Sequence, residues 1–175
     1  MSKRLWVVRH ANAVEHSPHG GRDRDRRLSA KGEHDVEALR RDIAAGNVAS
    51  PTPELVVASA AVRTMATATG AFDPSGTAGI VSADRRLYRA TPDDVLDIVH
   101  ELPDDIAVAG IVGHNPTIHC LSIDLVDEMA VHGATVGQRC FAPGTVAVFV
   151  LPIDRWSDAS FGSATIETVR IPAAR

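Results

Sequence analysis

The chain has 175 residues, of which 45% are apolar and 23% are charged, and its formal net charge is −4. This length and composition predict a single domain, residues 1–175, with a substantial hydrophobic core. The acidic balance argues against a nucleic-acid partner, which needs a clustered basic face, and no apolar run approaches the ~18 residues of a membrane span.

Short apolar runs alternate with segments of helical periodicity along the chain, and two helix starts are marked by capping chemistry. Ser29 is suited to cap a helix, as is Thr91, which is followed by Pro92. The run at 106–113 is continuously apolar, as expected of a central parallel strand. In chain order the predicted elements are a strand at 5–8, a charged loop at 20–27, a helix at 29–45, a strand at 54–59, a helix at 60–72, a strand near 80–82, a helix at 91–102, a strand at 106–113, a helix at 115–129, a loop at 130–144, and strands at 145–153 and 163–171.

This alternation predicts an α/β sandwich with a mostly parallel sheet, closed by two strands that are antiparallel neighbours. The two cysteines, Cys120 and Cys140, form no CxxC pair, so neither a disulfide framework nor a zinc site is indicated. Cys120 is expected in the core, on an apolar helix face. The N-terminal apolar run is too short for a signal peptide and lacks a small-residue cleavage site. We therefore expect a cytoplasmic protein.

Polar residues follow three of the predicted strands where each strand ends. Arg9 and His10 come after the first strand, Arg63 comes four residues after Ser59 at the end of the second, and His114 follows the strand at 106–113. The carboxyl ends of parallel strands form one edge of a sheet, where ligands bind. Helix N-termini at that edge add backbone N–H groups and partial positive charge, which suit a phosphate. The residues alone thus predict a site with two arginines and two histidines.

Three motifs occur in the order found in a known family: "VVRHANA", "ASAAVRTMATA" and "GIVGHNPTI". Together they resemble the histidine phosphatase (phosphoglycerate mutase-like) superfamily, most closely its short bacterial SixA-type phosphohistidine phosphatases. "RRLSAKG" at 26–32, "LYRATPDDVLDIV" and "APGTVAVFVLP" support the resemblance, which spans nearly the whole chain. It implies a three-layer sandwich in which helices flank a central, mostly parallel sheet of about five or six strands.

The resemblance also assigns roles to individual residues. It implies that His10 is the nucleophile, that Arg9, Arg63 and His114 bind phosphate and take part in catalysis, and that Arg26 is a further phosphate ligand. Planar guanidinium groups match phosphoryl oxygens in a bidentate fashion, and phosphoryl transfer depends mainly on positioning and electrostatic stabilisation. We therefore expect no metal and no cofactor. Neighbouring cations disfavour the imidazolium and keep the nucleophile neutral.

Two departures from the family pattern affect this prediction. Ala11 replaces the usual glycine after Arg-His, which brings a methyl group close to the expected phosphate site. Arg86 stands where many members carry a glutamate that protonates the leaving group, and neither Asp84 nor Tyr88 clearly replaces it. A positioned acid is worth roughly 10²–10⁴-fold for an alcohol leaving group. A protonated imidazole leaves without one, so the departure favours a phosphohistidine or another phosphoramidate as substrate.

The leading hypothesis is therefore a metal-independent phosphatase that acts on phosphohistidine borne by a protein. One alternative is a small-molecule phosphomonoesterase of the same superfamily, acting on sugar phosphates or nucleotides. Another is a phosphate-binding module without catalysis. A structural explanation also exists for each residue; Arg26 in particular is equally well explained as a solvated charge in the self-neutralising stretch "RDRDRR".

Overall fold

The computed structural model describes residues 2–126 and 141–173, and these form a six-stranded sheet with helices on both faces. The element bounds agree closely with the sequence pattern, and the described elements are β1 (Lys3–Arg9), α1 (Ala30–Ala44), β2 (Leu55–Ser59), α2 (Val62–Phe72), β3 (Val81–Asp84), α3 (Pro92–His100), β4 (Val108–Gly113), α4 (Thr117–Asp124), β5 (Val146–Leu151) and β6 (Thr165–Arg170).

The sheet has the strand order β3-β2-β4-β1-β5-β6. Its first four strands are mutually parallel, whereas β5 is antiparallel to both β1 and β6. The predicted mixed sheet and its antiparallel closing pair are therefore confirmed. The crossovers leave β1, β2 and β4 side by side, so their carboxyl ends share one edge.

Alternating side chains of β1 divide the core into two layers. Leu5 and Val7 join a cluster with α3 and α4, while Trp6 and Val8 join a second cluster with α1 and α2. All four side chains are fully buried. This is the pattern of a central strand covered by helices on both faces.

Both predicted helix caps form. The Ser29 hydroxyl accepts a hydrogen bond from the Gly32 N–H, and the Thr91 hydroxyl accepts one from the Asp94 N–H. Asp94 returns a contact to the Thr91 N–H, which completes a capping box. The caps fix where α1 and α3 begin, and with them the loops that lead to the strand ends.

Two sequence expectations need comment. The charged loop at 20–27 contains a short 3₁₀ turn, Asp23–Asp25, in which the Asp25 side chain accepts from the Arg22 N–H, and another 3₁₀ turn, Pro18–Gly20, leads into the loop. The expectation that Cys120 is in the core is wrong: it is half-buried, since α4 turns Ile118 and Leu121 inward instead.

Part of the predicted helix at 115–129 and most of the predicted loop at 130–144 lie outside the described residues, as does Cys140. Within the described ranges no helix combines the length and the apolar character needed to cross a bilayer.

Candidate active site

Three neighbouring strand ends meet at one edge of the sheet. In the parallel registers Val112 of β4 lies opposite Val8 of β1 and Ala58 of β2, and Arg9 lies opposite Gly113. The chain then leaves β1 at His10, whose N–H donates to the Gly113 carbonyl at 3.1 Å. The strand-end convergence expected from the sequence is present.

His10 has a fixed ring orientation. Its Nδ1 lies 2.7 Å from the carbonyl oxygen of Ala11. A carbonyl only accepts, so Nδ1 carries the proton and Nε2 holds the lone pair. Nε2 faces the Nε–H of Arg63 at 3.3 Å. The arrangement presents an unprotonated imidazole nitrogen to the space beside a guanidinium.

Arg63 is the central cation of the site. It lies in the first turn of α2 and is only 6% exposed. Besides its contact with His10, its Nη2 lies 3.3 Å from Nδ1 of His114. Its Nη1 donates to the Asp23 backbone carbonyl at 2.7 Å, and Nη2 donates to Oδ2 of the same residue at 2.9 Å. One guanidinium therefore joins both histidines to the loop before α1.

His114 is held on both sides. Because a guanidinium only donates, Nδ1 accepts from Arg63, and Nε2 carries the proton toward the Ser59 hydroxyl at 2.9 Å. Its ring centroid is 5.2 Å from that of His10 and 5.5 Å from that of Tyr88, both in edge contacts. The fully buried Ser59, at the end of β2, thereby orients a ring that follows β4.

Arg9 is anchored by backbone groups. Its Nη1 donates to the carbonyl of Phe141, which also accepts from the Asn115 side-chain amide. The Gly144 N–H contacts the carbonyls of both Arg9 and His10, at a φ of +83° that favours glycine. These contacts tie the end of β1 to the segment entering β5.

Asp23 brings Arg26 into the same group of residues. Its Oδ1 pairs with Nη1 of Arg26 at 2.9 Å, while its Oδ2 contacts Arg63 and accepts from the Tyr88 hydroxyl at 2.7 Å. Arg26 also donates to the Val14 carbonyl. Arg26 thus lies beside the strand-end residues through a shared carboxylate. Three arginines, one carboxylate and two neutral imidazoles leave the site with a net positive charge.

The ionisation of the two imidazoles follows from burial among cations. Burial, followed by the charges of Arg63, Arg9 and Arg26, lowers the pKa of His10 to about 4, against a partly compensating hydrogen bond to Ala11. Burial, and then the charges of His10 and Arg63, lowers the pKa of His114 to about 3. Both rings are neutral at pH 7, as a nitrogen nucleophile requires.

A titration tests this state. We expect neither imidazole to take up a proton as the pH falls from 8 to 5.5, because a pKa of about 4 or 3 places protonation lower. The measurement follows the Cε1–H resonances by NMR, assigned with His10→Gln and His114→Gln. An unfolded chain binds these protons near pH 6.5, so the two groups favour the folded state above that pH and lose this contribution as the pH falls toward 4. Titration of the His10 resonance near pH 6.5 would contradict the geometry.

Ala11 does not narrow the site as its methyl group suggested. It is 1% exposed and belongs to the hydrophobic cluster beneath α1 and α2. Its N–H donates to the Thr67 hydroxyl at 3.0 Å, which in turn donates to the Arg63 carbonyl. The next residue, Asn12, lies so close to α1 that a Cβ on Gly32 would be 1.9 Å from the Asn12 carbonyl oxygen.

Arg86 lies in a separate ion-pair cluster. It contacts Asp84 at 2.7 Å and Glu101 at 2.6 Å, and Asp84 is fully engaged by it. Asp23 is the carboxylate in contact with Arg63. Hydrogen bonds from Tyr88, Arg26 and Arg63 hold the pKa of Asp23 well below its usual range, so it is ionised at neutral pH. In this arrangement the Asp23 carboxylate accepts hydrogen bonds and has no proton to donate.

The structure adds contacts that the sequence analysis did not assign. Asp23 lies in the self-neutralising stretch "RDRDRR", where no spacing distinguishes it from Asp25. Thr67 could be assigned to the site from the sequence, because a residue four positions after Arg63 lies on the same helix face. The Ser59 hydroxyl and the Phe141 carbonyl depend on tertiary contacts between distant segments. Of the assigned residues, His10, Arg63 and His114 contact one another, Arg9 acts on both rings by its charge, and Arg26 joins through Asp23.

Comparisons with known proteins find chains of similar sequence and fold. No family model matches the chain. An uncharacterized protein of Mycobacterium leprae is 29% identical over 155 residues, covering 86% of this chain and 89% of the relative. A candidate phosphohistidine phosphatase SixA from Nakamurella multipartitia is 29% identical with a TM-score of 0.82, covering 99% of this chain and 98% of that one. The protein histidine phosphatase SixA complexed with tungstate has the same fold, with 18% identity, a TM-score of 0.73 and 97% of each chain covered.

Proposed function

We propose that this chain, a phosphatase with the fold of the histidine phosphatase superfamily, hydrolyses phosphohistidine on a partner protein through a phosphorylated His10. One observation carries the proposal: Nδ1 of His10 is occupied by a carbonyl, while its lone-pair-bearing Nε2 faces the Arg63 guanidinium. A neutral nitrogen held against a cation is the geometry needed to attack an anionic phosphorus centre.

The surrounding cations are suited to bind the phosphoryl oxygens. A guanidinium contacts two oxygens at once, and in a partly buried site each such contact is stronger than in water. Arg63 and Arg9 would take these contacts, with Arg26 beside them. An incoming phosphoryl group also favours the protonated imidazole, so His114 is expected to bind a proton at Nδ1 as substrate enters and to donate to an oxygen.

The reaction then has two steps. The lone pair of His10 Nε2 attacks phosphorus in line, and the bond from phosphorus to the leaving nitrogen breaks, with its electron pair and a proton leaving on the substrate imidazole. Water then attacks the phosphorus of phospho-His10, the P–N bond breaks, and inorganic phosphate departs as His10 Nε2 regains its lone pair. The Ala11 carbonyl holds the ring in place throughout both steps.

The substrate class is proposed from the proton balance at the leaving group. Asp23 is ionised, Asp84 is held by Arg86, and burial together with the Asp23 hydrogen bond raises the pKa of Tyr88. None of the three supplies a readily released proton in the free enzyme. A phosphoimidazole brings its own proton on the ring, whereas an alkyl phosphate needs one from the enzyme. Phosphohistidine is therefore preferred over sugar phosphates.

A substrate panel tests the proposal. Phosphohistidine peptide, phosphotyrosine peptide, a sugar phosphate and a nucleoside monophosphate are compared at equal concentration, with inorganic phosphate release as the readout. We expect kcat/KM for the phosphohistidine peptide to exceed that for the sugar phosphate by roughly 10²-fold, the benefit of an acid that the enzyme lacks. Strong turnover of monoesters with none of phosphohistidine would instead support the small-molecule phosphatase.

The non-catalytic alternative predicts a different result on the same panel. A phosphate-binding module would bind all four compounds and release phosphate from none. The lone pair directed from His10 toward Arg63 favours the enzyme, since binding alone needs only the cations. The proposal also includes a single domain over residues 1–175, which the composition supports, and a cytoplasmic location, which the cysteine usage supports.

A further inference from the structure

We infer that a groove beside the His10 site is a subsite for the leaving group and that it selects substrates with a carboxylate next to the phosphorylated residue. The groove has a volume of about 290 Å³ and is bounded by Arg24, Asp25, the segment 60–62, Arg85 and Tyr88. The inference rests on the proposed function, because it concerns the part of the substrate that departs from the phosphoryl group.

The groove and the His10 site share one wall. The Tyr88 ring contacts His114, and its hydroxyl donates to Asp23, which binds Arg63. The groove is also lined by Ala61, the residue before α2, which begins at Val62 and carries Arg63 one residue later. A group attached to a phosphoryl at His10 therefore passes directly from the arginine-bound oxygens into this groove.

Two guanidinium groups in the groove wall are available for a new partner. Arg85 is exposed, and its guanidinium makes no hydrogen bond or ion pair with any residue that the structure describes. Arg24 is also exposed, and its Nε lies 3.8 Å from Oδ1 of Asp25, a loose contact. The second oxygen of Asp25 is engaged by the Arg22 N–H. The adjacent Arg86, in contrast, is already held by two carboxylates.

The floor of the groove is apolar. Ala60, Ala61 and Val62 line it, and Val62 is 41% exposed although it is a large hydrophobic residue. A histidine side chain with a carboxylate-bearing neighbour suits this combination: its ring and backbone contact the floor, and the carboxylate lies between the arginines. The chain as a whole has a net charge of −4, so this local excess of positive charge favours substrates with a carboxylate at the groove over substrates without one.

A second depression, which Asp23 also lines, is less suited to an anion. It is lined by Glu15, His16, Asp23 and Arg26, among others. Its arginine is already bound to the Asp23 carboxylate and to the Val14 carbonyl, and Glu15 adds negative charge. The anionic flank of a substrate is therefore assigned to the groove with Arg24 and Arg85.

The test uses two phosphohistidine peptides that differ only in whether the flanking residues are Asp or Asn. We expect kcat/KM to favour the Asp peptide by about fivefold to tenfold at low salt, the size of two exposed charge contacts, and less at high salt. The double variant Arg24→Gln/Arg85→Gln should reduce the ratio to within about twofold. Arg41→Gln, which removes an exposed arginine from α1, should leave the ratio unchanged.

Further arms separate this inference from the proposed function. Phosphotyrosine peptides with the same flanks are run in parallel, so a failure of phosphohistidine turnover still leaves an Asp/Asn ratio to measure. Equilibrium binding of peptides with a stable phosphoryl-triazole mimic gives the same ratio with no turnover. Equal kinetics and equal binding of the Asp and Asn peptides by the unmodified protein would overturn the subsite. A ratio that persists in the folded double variant would also overturn it.

Discussion

Replacement of His10 by alanine is expected to lower kcat by roughly 10⁴-fold or more, because in the proposed mechanism it removes the atom that accepts the phosphoryl group. The variant should remain folded. The imidazole makes one hydrogen bond to the adjacent Ala11 carbonyl and contacts Arg63, and the strand that precedes it is held by its own sheet partners. Loss of activity can then be attributed to the chemistry.

Trapping gives the direct measurement. The protein is mixed with a ³²P-labelled phosphohistidine peptide, quenched, and tested for label that is stable to base and lost in acid, as expected of a phosphoramidate. Label should be present in the unmodified protein and absent from His10→Ala. His34→Ala is the matched control, because His34 is an exposed histidine of α1.

A second variant distinguishes the two imidazoles. His114→Ala keeps the proposed nucleophile, His10, and should still carry label, although turnover falls. In the structure both nitrogens of His114 are engaged, by Arg63 and by Ser59, whereas Nε2 of His10 faces Arg63 alone among the residues described. Label that survives in His10→Ala and disappears in His114→Ala would reverse the assignment and contradict the proposed mechanism.

The sequence predicted the framework of this site because the framework depends on local patterns. Apolar runs of four to eight residues defined the strands, and Ser29 and Thr91 marked two helix starts by chemistry that acts within three residues. Once the strands are parallel, their carboxyl ends must lie at one edge. The meeting of His10, Arg63 and His114 then follows from topology, with no knowledge of their contacts.

The contacts that adjust the site were not accessible in the same way. Asp23 reaches Arg63 because a 3₁₀ turn places its carboxylate across 40 residues of sequence, and nothing in "RDRDRR" selects it over Asp25. The Phe141 carbonyl binds Arg9 from 132 residues away. The sequence neighbours of Ala11 suggest a methyl group at the phosphate site, whereas its side chain packs in the core. Such features depend on packing, which a pattern of residue types does not encode.

Replacement of Arg63 by alanine is expected to lower kcat/KM by roughly 10²–10³-fold. Arg63 contacts both imidazoles and is the most enclosed of the arginines in the site, so it is suited to stabilise the charge that develops on the phosphoryl oxygens. Its loss should weaken inhibition by vanadate or tungstate by a similar factor, which separates a binding role from an indirect effect. Arg63→Lys should recover only part of the activity, because an ammonium cannot make two parallel contacts.

Whether Arg63→Ala folds depends on which buried groups lose a partner when the guanidinium is removed. The carboxylate of Asp23 retains Arg26 and Tyr88, and its side chain is 51% exposed, so no buried charge is left unpaired. Thr67 bonds to the Arg63 backbone carbonyl, which the substitution keeps. We therefore expect the free energy of unfolding to fall by less than about 2 kcal/mol.

Thermal melting and circular dichroism check this expectation, with Arg40→Ala as the control for an arginine whose partner, Glu37, lies on the same helix. If Arg63→Ala fails to fold, Arg63→Lys keeps the positive charge at the same place and provides the kinetic test. A folded variant of either kind with undiminished kcat/KM and undiminished vanadate inhibition would show that phosphate binds elsewhere. Arg63 would then only hold the strand ends together through its contacts with His10 and His114, and the strand-end residues would not form the active site.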